Sequence, residues 1–305
     1  MQNNNLSTEK ITIISIGRHT RLGDALEYAL EGVPFETMEA GDLAAGDWTN
    51  RRLLFAASAD PRGENAALLA LAVRLRAGEC DLSGCICAMI ADGEQGGAIH
   101  LDAIRLLLAA NSAGAEIISC PLLESGRDLH HLATETGGKE TGFACYRALA
   151  RALTLRLREC DNTAPIRRSI RLSSALDAGT KNDWCGVIRR MVAGCEIEIS
   201  EDDAETDDTI LLCENNDSLP DSRTLALLGG SGRIQFLIAS PGTGGDLYTA
   251  VLFERACLRG EYSLVPGGIT LLEGKSAVEA LASKGELELV KASLNHSRKE
   301  SSWEQ

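Results

Sequence analysis

The chain predicts an α/β protein, with a doubly wound parallel sheet followed by a second, smaller α/β domain. Two observations carry this expectation. Between residues 11 and 158, short apolar runs alternate five times with helical patterns, the signature of strands joined by crossover helices. The runs themselves, ITIISI at 11–16, RLLFAASA at 52–59 and GCICAMIA at 84–91, are almost continuously apolar, as strands covered on both faces must be. Right-handed crossovers then place helices on both sides of the sheet.

Each element has its own reason. Ile11, Ile13, Ile14 and Ile16 form the first strand, which stops at Gly17. The helix that follows buries Leu22, Ala25, Leu26, Ala29 and Leu30, spaced at i, i+3, i+4, i+7 and i+8. Gly32 and Pro34 end it, and residues 34–38 form a short strand. After a polar loop carrying Trp48 come the strand 52–59 and a helix over 65–76, then the strand 84–91 and a helix over 98–113 with Gly114 as its glycine stop. The strand EIISC, 116–120, closes at Pro121, and a long helix over 139–158 completes the first domain, residues 11–160.

CDNTAP, 160–165, reads as a linker to a second domain over 167–296, with a polar, frayed tail at 297–305. In this domain a helix over 182–193, capped by Asn182 or Asp183, precedes the alternating strand 195–199. EDDAETDD at 201–208 is a solvated acidic turn, lacking the glycine and the Asp/Asn spacing of a calcium loop. Strands follow at 209–213 and 234–240, then Pro241-Gly242-Thr243-Gly244-Gly245-Asp246 and a helix over 247–259. That loop is the most phosphate-like in the chain, but it lacks a P-loop lysine, and Asp246 repels phosphate at the helix start. Gly274-Lys275-Ser276 is not a Walker tail, because Ser276 and Glu279 spell a capping box for a helix over 277–283.

Composition excludes several classes of function. A formal charge of −14 opposes binding to nucleic acid or to an anionic membrane, and no apolar run reaches the ~20 residues needed to span a bilayer. With no signal-type segment at the N-terminus, the sequence predicts a cytoplasmic protein. Ten cysteines without a C-x-x-C, and five histidines outside any ligand spacing, point to reduced core thiols and no metal site. No Ser/His/Asp or Cys/His set can be assembled, so no catalytic residue is assigned.

On a doubly wound sheet, ligands bind at the carboxyl ends of the strands, near the reversal of strand order. The candidate loops are therefore those after the first, third and fourth strands. They supply Gly17, Arg18, His19, Thr20 and Arg21, then Ser58, Asp60 and Pro61, then Asp92, Gly93, Gln95, Gly96 and Gly97. Arg18, His19 and Arg21 offer charge-assisted donors to a phosphate at a helix N-terminus, while the same loop equally fits a plain helix cap at Thr20 and ion pairs with surface acids.

The segment SGCICAMIADGEQGGAIHLDAIRLLLAANSAGAEIISCPLL resembles the flavodoxin-like NAD(P)H-dependent FMN reductases, through Gly93, Gly96, Gly97, Leu101, Leu106, Gly114, Ala115 and Pro121. The resemblance covers residues 11–158. It implies a flavodoxin-like sheet and FMN as cofactor, with its phosphate on loop 17–21 and its ring between loops 58–63 and 92–97. It further implies NAD(P)H as co-substrate, a small-molecule or flavin-linked electron acceptor, and a homodimer. Two loops depart from the family's wording. Gly17-Arg18-His19-Thr20 stands where Gly-Ser-x-Arg is usual, and Pro61-Arg62-Gly63 lacks the tyrosine of Pro-x-Tyr. Trp48 is the ring available from a neighbouring loop. These departures keep a second reading open, a flavodoxin-like scaffold that binds a partner or a small anionic ligand without catalysis.

Overall fold

The computed structural model describes residues 10–17, 21–45, 48, 50–59, 65–92, 98–124, 143–160, 168–172, 176–191, 197–199, 208–215, 219–242, 245–259 and 261–299. The chain is an α/β protein of two compact units, Met1–Asn162 and Thr163–Gln305. Among the described residues no helix is long and apolar enough to cross a membrane.

In the first unit the strands are β1 (Ile11–Ile16), β2 (Phe35–Glu39), β3 (Arg52–Ser58), β4 (Ile86–Asp92), β5 (Glu116–Ile117) and β6 (Leu122–Glu124). All their pairings are parallel, in the order β2-β1-β3-β4-β5, with β6 also on β4. The helices are α1 (Arg21–Ala29), α2 (Ala66–Arg76), α3 (Ala98–Ser112) and α4 (Phe143–Glu159). Because strand side chains alternate in direction, the central strands feed two cores. Ile11, Ile13, Leu54, Ala56, Ala88 and Ile90 pack with Leu22 and Ala29 of α1 and with Tyr146, Ala150 and Leu157 of α4. The intervening Ile14, Phe55, Cys87 and Met89 are equally buried and point to the other face, where α2 and α3 pack together.

Polar side chains fasten the rim of this unit. Arg52, at the start of β3, donates from Nε to the Leu157 carbonyl at 2.9 Å and from Nη2 to the Cys160 carbonyl at 2.7 Å. It thereby satisfies carbonyls at the end of α4 with a cation placed where the helix dipole is negative. On the edge strand β2, Glu36 accepts from Lys10, Thr12 and Arg51. Those hydrogen bonds and nearby cations hold its carboxyl below the usual range.

The second unit has β7 (Arg168–Leu172), β8 (Ile197–Ile199), β9 (Asp208–Glu214), β10 (Ser231–Ser240) and β11 (Glu261–Glu273), again all parallel, in the order β8-β7-β9-β10-β11. Its helices are α5 (Ala178–Met191), α6 (Ser222–Ala226), α7 (Gly245–Arg259), α8 (Ala277–Ala282) and α9 (Lys284–Lys299). One core joins Trp184 and Ile188 of α5 to Ile210, Leu212, Leu237, Ala239 and Leu272 of the sheet and to Ala277, Ala280, Val290 and Leu294 of α8 and α9. The Trp184 indole donates to the Ala277 carbonyl at 2.9 Å, which satisfies its one polar atom inside that core.

Several elements differ from the sequence expectation. Of the strand expected over 116–120 only Glu116–Ile117 forms, as β5, and a further strand, β6, pairs with β4 beyond Pro121; proline has no N–H to give a ladder. Helix α5 starts before Asn182, and Asp177 caps it by accepting from the Thr180 amide at 3.0 Å. The long strand β11 has no counterpart in the sequence reading, because Pro266-Gly267-Gly268 within it reads as a break. In the ladder the register passes from Ile234↔Leu264 to Phe236↔Ile269, so those residues are a bulge inside one strand. Gly268 is required there, since a Cβ would lie 2.5 Å from the Val265 carbonyl oxygen. Residues 297–299, expected to belong to the frayed tail, are the end of α9.

Candidate functional site

Since β1, β3 and β4 are parallel neighbours, their carboxyl ends share one edge of the first unit's sheet, and the strand order reverses between β1 and β3. Gly17, Ser58 and Asp92 stand at these three ends. Of the other residues the sequence nominates, Arg21 opens α1. Arg18, His19, Thr20, Asp60, Pro61, Gly93, Gln95, Gly96 and Gly97 lie outside the described residues, as does the acidic stretch 201–207.

The crevice between β1 and β3 is built on Asn65, which sequence reasoning placed only at a helix start. Asn65 is the N-cap of α2 and is 8% exposed. Its Oδ1 accepts from the Leu68 amide at 2.9 Å, while Nδ2 donates to the carbonyls of Ile16 at 3.1 Å and Ser58 at 2.8 Å. One carboxamide thus ties together the last residues of two strands and the first turn of a helix. An aspartate could make the cap but not the two donations. The signal in the sequence was an Asn immediately before an apolar helix, which marks a cap and nothing more.

Gly17 meets the same carboxamide. Its φ is +87°, and a Cβ there would lie 3.3 Å from Asn65 Nδ2 and 3.8 Å from the Ser58 carbonyl oxygen. Glycine therefore lets the chain leave β1 in the left-handed region and keeps the mouth of the crevice clear of a side chain.

Asp92 closes the other side. It is opposite Ser58 in the ladder, and its carbonyl accepts from the Ala59 amide at 2.8 Å. Tyr146 supports the same strand end from α4, its hydroxyl donating to the Ala91 carbonyl at 3.0 Å. Asp92 is 6% exposed, and its Oδ1 has no hydrogen-bond partner among the described residues. A buried carboxylate oxygen left so is costly unless something donates to it. The edge therefore offers an acceptor at β4 and, at the start of α1, the positive end of a helix dipole.

Trp48, the ring the sequence offered from a neighbouring loop, is at the opposite edge. It is buried, its indole donates to the Leu43 carbonyl, and its own carbonyl accepts from Cys85, the residue before β4 begins. The length of β4 separates it from Asp92, roughly 20 Å for seven residues.

Three of the described thiols are buried in ways that disfavour the thiolate. Burial pushes Cys85 up to about 12 and raises Cys87 well above the ordinary thiol value, and burial pushes Cys213 in the second unit up to about 12. Among the described residues no group of three or more His, Cys, Asp or Glu side chains could hold a metal ion.

No protein-family model matches the chain, and no curated protein does. Among solved structures it is similar to the C-terminal domain of glucosamine-fructose-6-phosphate aminotransferase from Francisella tularensis, at 13% identity, covering 98% of this chain and 87% of that one. The TM-score is 0.28, too low to carry an argument about fold or function.

Proposed function

We propose that the first unit is a flavodoxin-like domain that binds FMN at the carboxyl ends of β1, β3 and β4, and that the protein is an NAD(P)H-dependent flavin oxidoreductase. The observation that supports this most is the strand order β2-β1-β3-β4-β5, which puts the loops nominated from sequence on neighbouring strand ends around the reversal. Flavodoxin-like sheets of this order hold FMN at the same place.

The residues present fit such a ligand. Arg18, His19 and Arg21 would neutralise the phosphate at the start of α1, Gly17 leaves room for it, and Asp92 would accept from a ribityl hydroxyl or a ring N–H. The flavin supplies the hydride chemistry when bound. The protein's own part is to hold the ligand rigidly, through the Asn65 tie between β1 and β3, and to fix its orientation through Asp92.

The test is the visible spectrum of the purified protein and its NAD(P)H oxidation after incubation with FMN. Flavin uptake with turnover is expected, with uptake weakened in Arg18→Ala and Arg21→Ala. The position of Trp48 at the far edge favours the second reading, a scaffold that binds a small anion without catalysis. That reading predicts a colourless protein whose NAD(P)H oxidation stays at background in wild type and in both arginine variants.

A further inference from the structure

Side chains on a strand alternate between the two faces of its sheet, so the core packing of β4 fixes where its last residue points. Ala88 and Ile90 pack into the core shared with α1 and α4. The β3–β4 register runs without a bulge from Arg52↔Ile86 to Ser58↔Asp92. Asp92 therefore stands one layer above Ile90 on the face covered by α1 and α4, with Ser58 opposite it, one layer above Ala56.

Tyr146, in the first turn of α4, belongs to the same core. It is fully buried, and its hydroxyl donates to the Ala91 carbonyl at 3.0 Å. It thus grips β4 at the peptide that joins Ala91 to Asp92. The next carbonyl, that of Asp92, accepts from the Ala59 amide at 2.8 Å. Two successive carbonyls are fixed in this way, one from α4 and one from the end of β3. Any carbonyl in the core would satisfy a buried phenol. This one adjoins a carboxylate that is 6% exposed and whose Oδ1 has no hydrogen-bond partner among the described residues. With Oδ1 unfastened, the direction of the carboxylate depends on the backbone that carries it.

We propose that Tyr146 is a positioning residue for the flavin site, acting through Asp92. Its hydroxyl on the Ala91 carbonyl sets how the Asp92 carboxylate meets the ligand. This rests on the reading of the first unit as an FMN domain. Tyr146 has no exposed surface with which to touch a ligand, so its influence passes through the strand end.

Titration of FMN into the full chain, followed by quenching of the flavin's fluorescence, tests this in wild type, Tyr146→Phe, Asp92→Ala and the double variant. Tyr146→Phe keeps the ring in the core and removes only the hydroxyl. It should weaken FMN about fivefold, the loss that goes with one hydrogen bond. In the Asp92→Ala background the same change should leave the affinity within about twofold, since the group it positions is gone. A merely structural Tyr146 gives a different pattern: a lower urea midpoint in Tyr146→Phe with FMN affinity unchanged, or a loss that adds in full to that of Asp92→Ala. Either result would overturn the inference. Hydrogen exchange of the wild type with and without FMN keeps the test open if Tyr146→Phe does not fold. FMN should add protection over 88–92 and 147–150 together, and protection over 88–92 that leaves 147–150 unchanged would count against the inference. Flavin left unquenched by wild-type protein would sink the FMN reading and this inference with it. Quenching by wild type with equal affinity in Tyr146→Phe would sink the inference alone.

Discussion

At the scale of single residues, the crevice of the first unit rests on one side chain whose role no local pattern announces. Asn65 makes three hydrogen bonds at once. Asn65→Ala removes a helix cap and leaves two strand-end carbonyls without their donor, so it should cost about 2–4 kcal/mol, read as a lower urea midpoint. Asn65→Asp should be no milder at neutral pH, because it keeps the cap and sets a carboxylate against the carbonyls of Ile16 and Ser58. Asp92 should behave in the opposite way. Its buried Oδ1 is held without a described donor, so Asp92→Ala should leave the urea midpoint unchanged or raise it, while weakening FMN about tenfold. A stability change without an affinity change would make Asp92 a structural residue only. The sequence made Gly17, Ser58 and Asp92 legible because a strand that stops at a polar or glycine residue marks its own carboxyl end. It could not make Asn65 legible as a tie, since two of its partners, Ile16 and Ser58, are brought together only by the β1–β3 pairing.

Among elements, what was legible depended on whether the signal was local. The apolar strands β1, β3 and β4 and the helices α2 and α3 follow from periodicity, and the Ser276–Glu279 capping box of α8 is present in both directions. Ser276→Ala should therefore cost about 1 kcal/mol in urea denaturation. Strand β11 was illegible for a physical reason. Its Pro-Gly-Gly is punctuation in a single sequence and a bulge only once β10 holds both flanks.

The caps also set a pH dependence. Side-chain and backbone hydrogen bonds from Thr180 lower Asp177 below its ordinary 3.8, and backbone and side-chain bonds from Ser276 lower Glu279 below its ordinary 4.5. Carboxyls lowered in the folded state contribute stability that is present above their unfolded values and lost as pH falls through the folded ones. Urea midpoints should thus drop as pH falls below about 4.5, and less so in Asp177→Asn and Glu279→Gln.

For the molecule as a whole, the parallel α/β architecture was legible from strand–helix alternation, and the repetition of one strand order in both units was not. The repeat lies in the strand pairings, while the residues at matching positions differ. Asp92 stands where the second unit has Ala239, and the loops that follow share little beyond glycine. One strand order thus carries different residues at the strand ends of the two units. Fold alone does not choose between a flavoprotein and a silent scaffold. The direct test is a titration of FMN into the full chain, followed by quenching of the flavin's fluorescence. The account predicts saturation at one FMN per chain, with affinity reduced in Arg18→Ala and Asp92→Ala. Flavin fluorescence that stays unquenched as wild-type protein is added would contradict it.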